Sequence, residues 1–421
     1  MIRFNDATEC INWIESQRRF SPKVSLEKMR KICDFFNNPQ NNLKYIHVGG
    51  TNGKGSTVSF IKSMLIASGH TVATFTSPYI TCFNERISYM NNMISNEDLL
   101  EIVNDIRLNY EKLQEELNDT PSFFELTTLI AFIYFAKLQP DYVVLEVGLG
   151  GLLDSTNIIT PVLSIITNVN YDHMHVLGNT REEIALNKLG IVKENVPFIT
   201  IEDDELLPLF KATAKQKNSK MVIVKKEYQN VSFGEVMTFD YHDYHLVSNL
   251  QGFHQCENIM LAINAIELLQ VNISKEEIVE AIKNTFWPAR LQVVSKKPLV
   301  MIDGAHNIDG VKRLCQYLKT IKNDKQLVVI FAVSKDKMYL EMLNEISSVA
   351  DKMILSEFSY KRSETAENLS NLNFDNVEVN ENIISIIDSI NNLNTIYVFC
   401  GSLYFASEVL ATLKTHPISA R

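Results

Sequence analysis

Residues 45–57 read Tyr45-Ile-His-Val48-Gly49-Gly50-Thr51-Asn52-Gly53-Lys54-Gly55-Ser56-Thr57. A largely apolar, β-favouring run enters a glycine-rich turn, and a helical pattern follows over residues 57–67. Strand, tight turn and helix make the context a phosphate-binding loop requires. Glycines let backbone N–H groups converge on phosphate oxygens, and the helix N-terminus adds a favourable dipole. Lys54 would reach the β- and γ-phosphates, and the Ser56 hydroxyl would bind Mg²⁺. The spacing departs from G-x-x-x-x-G-K-[ST], because Gly55 separates the lysine from the serine. The plainer alternative is a Gly-rich connector.

Outward from this loop the same alternation continues. Residues 142–147 and 162–167 are apolar runs of the kind that form central strands. Leu145-Glu146-Val147-Gly148 puts an acid at a strand end, which in a doubly wound sheet faces the ligand crevice. Glu146 there suits a hard cation such as Mg²⁺, or is a solvated strand-end acid. The next run ends in Asp172-His173. Thr180-Arg-Glu-Glu183 is a capping box, so a helix starts there and runs through Lys188, which alone reads as a solvated helix lysine. Residues 221–250 turn to short β-rich pieces and suggest a small antiparallel appendage. After Pro298 strands and helices alternate to residue 413, which implies a mostly parallel, Rossmann-like sheet covered on both faces. Prolines and a basic pair place the boundary at 291–297, giving domains 1–290 and 298–421.

The bulk numbers narrow the class. A chain of 421 residues, 46% hydrophobic and 21% charged, is long enough for two or three cored domains. A net charge of −10 gives no sign of a nucleic-acid surface. Six scattered cysteines without a C-x-x-C pair argue against a disulfide framework or zinc site and fit a reducing cytoplasm. The N-terminus lacks the apolar core of a signal peptide, and no apolar run approaches the roughly 20 residues of a membrane span. A soluble, cytoplasmic protein is expected.

Together the motifs resemble the folylpolyglutamate synthase and dihydrofolate synthase branch of the Mur ligase family, in that family's order and over nearly the whole chain. The loop GTNGKGST is followed by Thr76-Ser-Pro-Tyr-Ile80 and Phe83-Asn-Glu-Arg-Ile87. Ser122-Phe123-Phe124-Glu125, then Glu146 through Leu152-Leu153-Asp154-Ser155-Thr-Asn157, resemble the next two segments. Asp172-His173, Asn187-Lys188-Leu-Gly-Ile191, Gly252-Phe-His-Gln255 with Asn258, and Trp287-Pro-Ala-Arg290 continue the series. Asp303-Gly-Ala-His306-Asn307 and Gly401-Ser-Leu-Tyr404 close it. Leu152 stands where the family usually has Arg, and Asn187 where it has Glu.

The resemblance implies an α/β fold: an N-terminal P-loop ATPase domain with a parallel central sheet and the small appendage, then the C-terminal ligase domain. It implies an ATP-dependent amide ligase that adds L-glutamate to folates through an acyl phosphate, releasing ADP and phosphate. A bifunctional enzyme also acting on 7,8-dihydropteroate is the near alternative. ATP would be held by Asn52, Gly53, Lys54, Gly55, Ser56, Thr57, Asn258, Arg290, Asp303 and His306. Ser56 and Glu146 would hold one Mg²⁺ and His173 a second, with Lys188 carbamylated; Lys54, Lys188, His173 and Glu146 form the catalytic set. Ser122, Phe123, Phe124, Glu125, Leu153, Asp154 and Ser155 correspond to the pteroate-binding segments. A monomer is expected, with neither nucleic acid nor membrane as partner. A cell-wall Mur ligase would need a further domain before the loop, where only 48 residues stand. A nucleotide-binding regulator that had lost ligation would have no use for Glu146, His173 and Lys188.

Overall fold

Strand β1 (Tyr45–Gly49) is buried along its whole length, which is why its sequence, His47 apart, is apolar rather than alternating. The computed structural model describes residues 3–18, 25–372 and 374–418. Two compact units emerge: Met1–Glu227 with Glu257–Ile282, and Tyr228–Cys256 with Lys283–Arg421.

The first unit is built on eight strands. After β1 come β2 (Val72–Phe75), β3 (Ile87–Tyr89), β4 (Asn92–Met93), β5 (Tyr142–Glu146), β6 (Leu163–Ile166), β7 (Phe198–Ile201) and β8 (Met221–Val224). Their order is β4-β3-β2-β5-β1-β6-β7-β8, parallel except for the β3 and β4 edge. From β1 the chain moves to β2 on one side, whereas β6, β7 and β8 step away on the other. The carboxyl end of β1 is therefore a topological switch point, where open α/β sheets bind ligands. The register puts Val48 opposite Glu146 and Gly49 opposite Ile166. Four helices, Ala7–Ser16, Leu26–Phe35, Asn96–Leu117 and Phe123–Leu138, form one core with Ala73, Phe75, Val143 and Leu145. Helices Arg181–Leu189 and Leu207–Gln216 pack with Ile166 and Phe198 into another.

In the second unit, β9 (Tyr228–Phe233), β10 (Met237–Tyr241) and β11 (Tyr244–Ser248) form an antiparallel sheet. A six-stranded sheet contains β12 (Gln292–Lys296), β13 (Leu299–Ile302), β14 (Gln326–Phe331), β15 (Lys352–Leu355), β16 (Val377–Val379) and β17 (Thr395–Cys400). Its order is β12-β13-β17-β14-β15-β16, parallel apart from β12. The strand–helix alternation expected after Pro298 is present throughout.

Two expectations change. The run at Met221–Val224 is the parallel edge of the first sheet, and only Tyr228–Ser248 is antiparallel. The stretch 291–297, expected as a linker, contains β12, hydrogen-bonded to β13. Pro288 and Pro298 lie outside that strand, and an edge strand accommodates flanking prolines. Among the described residues no helix is long and apolar enough to cross a membrane.

Candidate active site

Gly49 ends β1, and the loop that follows is stitched to the segment after β6. The Thr51 N–H donates to Asn168 O (2.9 Å), and the Asn52 N–H to Asn168 Oδ1 (3.0 Å). Thr167 Oγ1 donates to Asn52 O at 2.6 Å, and the Asn170 N–H to Thr51 Oγ1 at 3.0 Å. Gly53 is the N-cap of helix Lys54–Ala67, has φ +82°, and provides no side-chain cap. The first-turn N–H groups of Lys54, Gly55 and Ser56 thus lie in the arrangement that receives an anion. Two glycines are sterically required. A Cβ at Gly50 (φ +144°) would fall 1.9 Å from Thr167 Oγ1, and one at Gly53 would fall 2.3 Å from Asn258 Oδ1. Asn258 therefore stands beside the loop. Ser56 and Thr57 are buried in the first turn of the helix.

Three charged side chains meet here. Lys54 Nζ folds back to donate to Gly50 O and Thr51 O, each at 3.2 Å. It also lies 4.0 Å from Glu146 Oε1, at the end of β5. Glu146 is only 3% exposed, and its Oε2 accepts the Ser77 N–H at 3.1 Å. The capping box at Thr180 and Glu183 forms and starts helix Arg181–Leu189. Lys188 from this helix is not solvated: it is 3% exposed, and its Nζ donates to Gly50 O at 2.9 Å. Burial first, and the Lys54 charge second, lower its pKa to about 7, against the opposing pull of Asp172. A lysine half neutral near pH 7 is a nucleophilic amine rather than a fixed cation.

His173 has φ +49° and precedes the short helix Met174–Leu177. Its Nε2 is 3.7 Å from Asp172 Oδ1. Among the described residues no group of three or more His, Cys, Asp and Glu side chains gathers to hold a metal. Ser56 and Glu146 nonetheless offer the oxygen donors Mg²⁺ takes, and phosphate oxygens and water ordinarily complete its shell.

The pteroate segments divide by what their polar groups already do. Ser122 and Glu125 form a buried capping box for helix Phe123–Leu138, and Glu125 pairs with Lys28 Nζ at 3.0 Å. The Phe123 ring lies under the Arg86 guanidinium, 5.1 Å away, and Phe124 packs on Phe75 and against Gly148. Leu153 is exposed, Ser155 half-buried and Asp154 buried.

In the second unit, Asp303 is buried after β13. Its Oδ2 accepts the Leu291 N–H at 2.8 Å and its Oδ1 the Ala305 N–H at 2.9 Å. Burial raises its pKa, and the neighbouring Arg290 guanidinium opposes that rise. Arg290 donates to Ala289 O at 3.0 Å, and His306 Nδ1 lies 2.8 Å from Gly304 O. Asp303 thus shapes the backbone around Arg290 and His306.

Sequence reasoning missed Thr167, Asn168 and Asn170, which brace the loop, and Ser77, which orients Glu146. Ser77 falls inside the Thr76-Ser-Pro-Tyr-Ile80 motif and Thr167 at the end of an apolar run, but the partners of all four lie tens of residues away, so no local pattern shows what they hold.

Comparison with known proteins gives a consistent result. A family profile described as Mur ligase middle domain matches residues 48–266, and one described as Mur ligase, glutamate ligase domain matches residues 289–403. The dihydrofolate synthase/folylpolyglutamate synthase of Bacillus subtilis is 36% identical, over 96% of this chain and 98% of its own. The folylpolyglutamate synthase of Lacticaseibacillus casei is 33% identical, over 83% and 84%. Among solved structures, folylpolyglutamate synthase from Thermotoga maritima superposes with a TM-score of 0.85 at 31% identity, covering 98% of each chain. A complex of FPGS with AMPPCP and folate superposes with a TM-score of 0.84 at 30% identity, covering 97% of this chain and 99% of that one.

Proposed function

The chain belongs to the Mur ligase family, in its folylpolyglutamate synthase and dihydrofolate synthase branch, and from that premise we propose that it ligates L-glutamate to folates at the expense of ATP. The observation that carries the reading is the meeting of Lys54, Glu146 and Lys188 at a phosphate loop on the switch point of the first sheet.

The chemistry explains why such a site is needed. A carboxylate is a poor acyl donor because its oxide does not leave. Transfer of the γ-phosphoryl group makes an acyl phosphate, which the glutamate amine attacks to give the amide and phosphate. Loop N–H groups cradle the phosphates, and Lys54 leaves the Gly50 and Thr51 carbonyls to neutralise charge developing on the transferred group. Ser56 and Glu146 would hold one Mg²⁺, and His173 with a Lys188 carbamate a second. Bound there, the ions would screen the phosphate oxygens and lower the barrier to their approach by a carboxylate. Ser77 keeps Glu146 turned toward the loop. The resemblance assigns Asn258 to ATP and, within the second unit, Arg290 and His306, beside which Asp303 holds the backbone.

Arg290→Ala is expected to raise the KM for ATP on the order of 10- to 100-fold, the effect of one charge-assisted hydrogen bond, while the KM for glutamate moves little. Steady-state kinetics with each substrate varied in turn checks this. Equal rises in both would remove Arg290 from the nucleotide site.

The Bacillus subtilis relative carries both activities in its name, which favours 7,8-dihydropteroate as a second acceptor. The deciding experiment measures ATP-dependent incorporation of L-glutamate into tetrahydrofolate and into dihydropteroate, with ADP release followed in parallel. Amide formation with tetrahydrofolate is expected. Binding of ATP without amide from either acceptor would overturn the reading in favour of a nucleotide-binding regulator.

A further inference from the structure

His47 lies on β1, two residues before Gly49, and is fully buried. Its Nε2 is 2.8 Å from Thr156 Oγ1. Thr156 Oγ1 in turn lies 2.6 Å from Asp154 Oδ1, which also accepts the Thr156 N–H at 3.0 Å. The Leu149 N–H donates to Asp154 Oδ2 at 2.8 Å. Burial raises the Asp154 pKa, and the Thr156 hydroxyl with the Leu149 and Thr156 N–H groups opposes that rise by donating to the carboxyl oxygens. The hydroxyl's single proton therefore goes to Asp154, and Thr156 must accept from His47 Nε2–H. That assignment leaves Nδ1 as a bare acceptor, and it has no hydrogen-bond partner. The neutral ring is the form that burial favours: burial foremost, and Lys193 next, depress the His47 pKa to about 3.

The chain His47–Thr156–Asp154 ties the strand that delivers the phosphate loop to residues 149–157. The segment is also held by the Leu152 N–H, which donates to Asn187 O at 2.7 Å, by Asn157 Nδ2, which donates to Gly190 O at 3.0 Å, and by Lys193 Nζ, which donates to Asn157 O at 3.0 Å. Between the anchors Leu153 is exposed and Ser155 half-buried, while Asp154 turns its carboxylate inward.

We propose that His47 is a positioning residue for the acceptor substrate, holding loop 149–157 through Thr156 and Asp154 so that Leu153 and Ser155 face the pteroate. The inference rests on the reading of this loop as a pteroate segment and deepens it.

Thr156→Val exchanges the hydroxyl for a methyl at nearly equal volume and leaves both His47 Nε2–H and Asp154 short of a partner. The KM for the folate acceptor is expected to rise about tenfold or more, with kcat and the KM for ATP within about twofold of the parent. Thr156→Ser keeps the hydroxyl and is expected to restore the parent KM. No change in Thr156→Val, a parallel rise in the KM for ATP, or failure of Thr156→Ser alongside it would overturn the proposal. Should Thr156→Val lose its cooperative thermal transition, His47→Gln, which keeps an N–H toward Thr156, is compared with His47→Leu, which does not. Loss of folding in His47→Leu as well marks a purely structural role and also overturns it. The parent chain separates the two possible failures. A parent that makes no amide defeats the proposed function, whereas an active parent with an insensitive Thr156→Val defeats only the role of His47.

Discussion

Lys54→Ala is expected to lower kcat by roughly 10²–10³-fold or more, the usual loss when one preorganised charge is removed from a transition state. The side chain now rests on the Gly50 and Thr51 carbonyls, 4.0 Å from Glu146 Oε1. Both carbonyls are weak partners for an ammonium compared with a phosphate, so ATP competes for it successfully. Because Lys54 is partly exposed and makes no other structural contact of note, its removal is expected to leave the fold in place. The measurement is ADP release at saturating ATP, acceptor and glutamate, with thermal unfolding of parent and variant compared. Turnover within about threefold of the parent would remove the phosphate-loop assignment.

The second large effect is expected at Lys188. Its Nζ is buried against Gly50 O, with a pKa lowered to about 7. Carbamylation consumes the neutral amine, whose share grows as pH rises through 7 and falls as pH drops below it. In a CO₂-limited buffer, activity is therefore expected to fall toward pH 6 and to recover with added bicarbonate. Lys188→Ala is expected to lose roughly 10²–10³-fold in kcat while remaining folded, since it removes the amine on which the proposed carbamate would form. Acetate is expected to restore part of that loss. Lys188→Arg is expected to fail as well, because a guanidinium stays charged and takes up no CO₂. Indifference of the parent to bicarbonate, together with full activity of Lys188→Arg, would sink the carbamate. So would an unmodified ammonium in a high-resolution map of the ATP–Mg²⁺ complex grown with bicarbonate.

Much of this architecture is legible in local sequence because the deciding features are local. An apolar run, a glycine turn and a helix at residues 45–67 specify one supersecondary unit, and the alternation after Pro298 repeats that logic. The capping box at Thr180 and Glu183 fixes a helix end by residues three apart. What stays hidden is pairing at a distance. Nothing in Gln292-Val-Val-Ser-Lys296 announces β13 as its partner, and the flanking prolines make it look like a connector. Met221–Val224 has the residues of a strand, but its neighbour β7 is what makes it parallel. The site divides in the same way. Lys54 and Ser56 are marked by their loop, whereas the burial of Lys188 depends on Gly50, 138 positions earlier in the chain. His47 reads as one more residue of a buried strand, and only the fold shows its contact with Thr156, 109 positions on.

The loop's fit against its surroundings also constrains how such a chain can change over generations. Gly50 and Thr167 occupy one shared volume, and Gly53 and Asn258 another. Enlarging either glycine demands a simultaneous loss at its neighbour. Even that double step leaves a side chain on a backbone at φ +144° or +82°, a region L-residues rarely adopt. A single substitution and a compensated pair are both strained at these two positions. A drifting population of such genes would keep both glycines while the exposed helix faces changed.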